Sequence, residues 1–87
     1  MIRNGDFLLR EVAGSQVLVP VGAATREFAG IVTLNAVGVQ MWNALETEQT
    51  VESLVKVLTA RYDVSEAQAM ADVEKFLKNL ETVGAVK

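Results

Sequence analysis

The sequence predicts an α+β fold, winged-helix-like, in which a three-stranded antiparallel sheet is followed by a three-helix bundle. Three observations predict it. Up to Leu34 the chain is dominated by β-formers: Phe7, Leu8, Leu9, Val12, Val17, Val19, Val21, Ile31, Val32 and Thr33. From Asn35 onward apolar residues recur at helical spacing. Charge divides at the same point: residues 1–34 set Arg3, Arg10 and Arg26 against Asp6, Glu11 and Glu27, so the helical half carries the whole net charge of −3. Strands first and helices after them is an α+β order, and 87 residues make one domain with one modest core.

The elements follow in order. Phe7–Val12 and Gln16–Val21 read as two β runs around a three- or four-residue loop in which Gly14 takes a positive φ. Pro20 lacks an N–H and limits pairing at the end of the second run. After the small residues Gly22 to Ala24, a third run over about 27–34 completes the sheet. Asn35 is a good N-cap for a first helix over 36–46, with Val37, Met41, Leu45 and Trp42 on its apolar side. Thr50 caps a second helix reaching about Tyr62, with an apolar stripe of Val51, Leu54, Val55, Leu58 and Tyr62. Ser65 with Gln68 reads as a capping box for a third helix to about Val83. There Met70, Val73, Leu77 and Leu80 are expected to face inward, Phe76 lies at the margin of that stripe, and Gly84 suits the helix-ending position.

Composition excludes several kinds of chemistry. The chain has no cysteine and no histidine, which removes disulfides, Cys/His zinc sites, thiol nucleophiles and Ser-His dyads. Ser15, Ser53 and Ser65 have no base at a recognisable spacing, and the glycines form no phosphate-binding pattern. The carboxylates Glu46, Glu48, Asp72 and Glu74 read as solvated surface. No enzyme is expected, and no cofactor or metal. Nucleic acid is not an expected partner either, because the basic residues of the second and third helices are interleaved with carboxylates that repel phosphates. Met1–Asp6 has no signal-peptide character, and no run is long enough to span a membrane, so the expected location is the cytoplasm.

What remains is binding of a peptide or protein. Residues 28–34 form a run with no charge at all. Val32 and Leu34 are assigned to the core, leaving Ile31 and Thr33 on the other face. Such a run is either a central strand buried on both faces or an edge strand lacking the usual lysine or proline protection, open to a strand from another chain. Phe76 is either core or, with small Ala69, one wall of a groove beside that strand. Two other classes stay open, a winged-helix nucleic-acid binder and a homodimer in which free strand edges pair.

Phe7-Leu8-Leu9-Arg10-Glu11-Val12, a glycine turn, and Val17-Leu18-Val19-Pro20-Val21-Gly22 resemble the opening of PqqD-like proteins. The block Ile31-Val32-Thr33-Leu34-Asn35, then Gly38 and Trp42, is similar to their signature at the third strand and first helix. Thr50-Val51-Glu52-Ser53-Leu54, Tyr62-Asp63-Val64, and Val73, Phe76-Leu77 and Leu80 before Gly84 continue the resemblance over nearly the whole chain. It implies a small precursor-peptide chaperone, or RiPP recognition element, that is not a catalyst. Such proteins bind the leader of a ribosomally made precursor and present it to a modifying enzyme, often of the radical SAM type. They serve biosynthesis of pyrroloquinoline quinone and of other modified peptides. The resemblance further implies that the leader adds as a strand along Arg26, Glu27, Phe28, Ala29, Gly30, Ile31, Val32 and Thr33. Its other wall is then a helix face of Ala69, Asp72, Val73, Phe76 and Asn79.

Overall fold

The structure, a computed structural model, describes residues 1–27 and 30–87, and of Glu27 the backbone alone. The element order is β1 (Phe7–Val12), β2 (Ser15–Pro20), α1 (Ala24–Glu27), β3 (Val32–Leu34), α2 (Ala36–Ala44), α3 (Val51–Arg61) and α4 (Glu66–Val83). The sheet is antiparallel in the order β1-β2-β3, so β3 is an edge strand and not a central one. This is the expected α+β arrangement with one short helical turn, α1, added before β3.

The β1–β2 loop is tighter than expected. Val12 pairs with Ser15, which leaves a two-residue turn in which both Ala13 (φ 52°) and Gly14 (φ 82°) are left-handed. That is the type I′ geometry whose twist matches the flanking strands. It sets the phase of the ladder. Ser15 and Val17 turn their main-chain groups toward β1, and Gln16 and Leu18 toward β3. Val32 and Leu34, opposite Leu18 and Gln16, bond inward, so the N–H and C=O of Thr33 point away from the sheet.

Among the described residues of the expected third run, Val32–Leu34 is strand and Glu27 is helical. Residues 24–27 form one helical turn, closed by i to i−3 bonds from Ala24 N–H to Val21 C=O (3.2 Å), Thr25 N–H to Gly22 C=O (3.2 Å) and Arg26 N–H to Ala23 C=O (3.2 Å). The Thr25 hydroxyl donates to Gly22 C=O at 2.7 Å, and Ala24 is buried in the core. These local bonds and one apolar anchor outweigh β-propensity at residues 24–27, and among the described residues Val32–Leu34 pairs with β2.

Helix boundaries follow their caps. The Asn35 side chain accepts from Gly38 N–H at 2.8 Å and starts α2, which ends at Ala44, two residues earlier than expected. Thr50 and Ser53 exchange bonds in both directions (3.0 and 2.8 Å), so the capping box belongs to α3. At α4 only half of the expected box forms. Ser65 accepts from Gln68 N–H at 3.1 Å, but the Gln68 side chain donates forward to Asp72 Oδ1 at 3.0 Å. Gly84 (φ 79°) ends α4 in the left-handed conformation, and Ala85 N–H closes back on Leu80 C=O at 2.8 Å.

One core joins the sheet's inner face to α2, α3 and α4 through Phe7, Leu18, Leu34, Trp42, Leu45, Leu54, Leu58, Val73, Leu77 and Leu80. Burial of each large apolar side chain contributes about 1.5–3 kcal/mol. On α4 the inward stripe begins at Ala69, which is fully buried, and not at Met70, which is 38% exposed. Ala69 lies four residues before Val73 and in line with Leu80, so the stripe is set by the helix's docking angle and not by side-chain size. The chain ends pair with each other: Lys87 N–H donates to Ile2 C=O (2.8 Å), Asn4 N–H donates to Ala85 C=O (2.8 Å), and Arg3 bridges Val86.

Candidate functional site

The free edge of β3 opens onto a groove of about 310 Å³, lined by β3 and its end (Thr33, Leu34, Asn35), α2 (Val37, Gly38, Met41) and α4 (Asp72, Lys75, Phe76, Asn79). The floor is apolar and the rim is polar, the usual make-up of a site that anchors one apolar group and orients it with a few polar ones. Phe76 is half-buried, with one part packed on the core and the other facing the groove. Asp72, Lys75, Phe76 and Asn79 follow the i, i+3, i+4, i+7 rule, which places all four on one stripe of α4. The Asp72 carboxylate is held toward Gln68 by the 3.0 Å bond from Gln68 Nε2.

The expected site residues separate into groups. Thr33, Asp72, Phe76 and Asn79 meet at the groove. Ile31 is 55% exposed just before β3, Gly30 is exposed beside it, and Val32 is half-buried on the core side. Ala69 and Val73 are fully buried, so they back the α4 wall from inside the core and do not face the groove. Arg26 and Glu27 are on the α1 turn and not on an extended strand. Phe28 and Ala29 lie outside the described residues.

Six groove residues escaped the sequence reading: Leu34, which was assigned to the core, Asn35, which was assigned to a helix cap, and Lys75, Val37, Gly38 and Met41. Lys75 was detectable, since it shares the helical stripe of Asp72, Phe76 and Asn79. Val37, Gly38 and Met41 were not, because α2 becomes a third wall only through its packing against β3 and α4. A larger cleft of about 630 Å³ lies on the other flank of α4, between Val55, Val64 and Met70, but among the described residues no strand edge borders it.

Among the described residues no helix is long and apolar enough to cross a membrane. The family model described as "Coenzyme PQQ synthesis protein D (PqqD)" matches residues 8–86. A solved structure, "TbiB1 in Complex with the TbiA(beta) Leader Peptide", is similar to this chain with a TM-score of 0.77 at 22% identity. The match covers 100% of this chain and 95% of that one, a likeness of fold. No curated protein matches in sequence.

Proposed function

Because this chain belongs to the PqqD family, we propose that it binds the leader segment of a ribosomally synthesised precursor peptide and presents that peptide to a modifying enzyme. Residues 1–87 act together as one peptide-binding domain in the cytoplasm, and the role is recognition without catalysis. The observation that carries this reading is the free β3 edge opening directly onto an apolar-floored groove. An extended peptide laid along that edge bonds to the outward main-chain groups of Thr33 and, in the same phase, of Ile31. One of its apolar side chains then reaches the floor between Phe76, Met41 and Leu34. Support also comes from the structural neighbour of similar fold, which was solved with a leader peptide. The receiving enzyme is proposed to be of the radical SAM type, acting on the peptide while this chain holds its leader.

The test is a titration of the protein, followed by amide NMR, with a synthetic leader of the precursor peptide encoded beside its gene. Perturbations are expected at residues 31–33 and along the 72–79 face of α4. Perturbations confined to other surfaces, or none at millimolar leader, overturn the reading. A second reading, a homodimer, is favoured by one observation: among the described residues β1 is the sheet's other edge, with no strand beyond it. Sedimentation at several concentrations distinguishes the two, since only the dimer changes mass with dilution.

A further inference from the structure

We infer that Gly38 sets the depth of the groove and thereby the size of the leader side chain it accepts, an inference that rests on the leader-binding reading above. Gly38 is buried in the first turn of α2, a position with ordinary helical backbone where alanine is the better helix former. Its backbone conformation therefore does not call for glycine, but its surroundings do. A Cβ at this position comes within 3.2 Å of Phe76 Cε1, 3.3 Å of Asn35 Oδ1 and 3.5 Å of Leu34 Cβ. By contrast, a Cβ at Gly5, Gly14 or Gly84 meets nothing within 4 Å.

The three neighbours differ in what they can yield. The Asn35 oxygen is held by the 2.8 Å cap bond from the N–H of Gly38 itself. Leu34 is fixed in the core. All three line the groove, but Leu34 is buried and the Asn35 oxygen is bonded, so the half-buried Phe76 ring is the group that gives way, toward the groove it borders. A single methyl at position 38 thus narrows the site twice, by occupying the floor and by displacing the ring. Close packing makes such small changes felt, and one methylene in an apolar pocket changes discrimination by about tenfold or more.

The experiment compares the wild type, Gly38→Ala, Phe76→Leu and the double variant, titrated with the synthetic leader of the neighbouring precursor, alongside thermal melts. G38A is expected to melt no lower than wild type and to bind the leader about tenfold more weakly. Most of that loss is expected to return in the double variant, or with a leader whose apolar anchor is shortened by one methylene. Equal binding by G38A and wild type overturns the role of Gly38 while leaving the leader-binding reading in place. A loss that neither the double variant nor the shortened leader recovers also overturns it. Failure of the wild type itself to bind overturns the leader-binding reading, and this inference with it.

Discussion

The guanidinium of Arg3 lies 5.7 Å from the centre of the Trp42 ring, and its Nη1 donates to the Trp42 carbonyl at 3.5 Å. The segment leading into the first strand is thereby fastened to a buried residue in the last turn of α2. The main chain of Arg3 adds to this, since its N–H donates to Leu45 C=O at 2.9 Å and the residue bridges Val86. The two ends of the chain and α2 are held as one unit.

Arg3→Ala is accordingly expected to lower stability by about 1 kcal/mol, the range of a partly desolvated cation–π pair. The chain's single tryptophan makes this easy to read, because Trp42 fluorescence reports urea unfolding directly. Arg3→Lys should retain part of the effect. A midpoint unchanged by Arg3→Ala shows the contact to be energetically silent.

Ala13 is strained where the turn requires a left-handed residue. The first position of a type I′ turn favours asparagine, so Ala13→Asn is expected to stabilise the fold by about 0.5–1 kcal/mol, and Ala13→Val to destabilise it. Thermal melts of the two variants check the sign of each change.

Strand addition makes a demand on one N–H. Thr33 donates nothing to β2, so Thr33→Pro leaves the sheet's own ladder intact while deleting a donor on the free edge. The variant is expected to fold and to lose about tenfold in leader affinity, the upper end of the 0.5–1.5 kcal/mol of one hydrogen bond. Thr33→Val keeps the N–H and should bind as wild type does. Equal binding by the proline variant counts against main-chain pairing at this edge.

Phe76→Asp places a charge on the groove side of a half-buried ring. Leader binding is expected to fall at least tenfold while the far-UV spectrum is retained, since the fully buried Ala69, Val73, Leu77 and Leu80 still hold α4. A variant that simply unfolds shows Phe76 to be core and removes it from the site.

Much of this arrangement was legible from local chemistry. Asn35, Thr50 and Ser65 mark helix starts because each offers a short side chain to an unpaired N–H, a property that needs no tertiary partner. Gly84 marks the end of α4 because a residue without a Cβ takes the left-handed conformation at little cost, which is likewise a local property. The candidate site was legible only in part. Thr33, Asp72 and Phe76 follow from strand alternation and helical spacing and Asn79 from the family resemblance, whereas the extended segment expected through Arg26 and Glu27 is a helical turn. That turn depends on the burial of Ala24 against residues far along the chain, which β-propensity does not register.

The residue order alone determined the fold class, the positions of α3 and α4, and the lack of cysteine and histidine chemistry, because these rest on short-range periodicity, caps and composition. Folding in three dimensions decided which strand became the edge, whether Ala69 or Met70 turned inward, and that α2 supplies a third wall to the groove. The physical reason is range. A cap or a period is settled within a few residues, whereas sheet order, helix rotation and the space above Gly38 depend on how surfaces distant in the chain pack against one another.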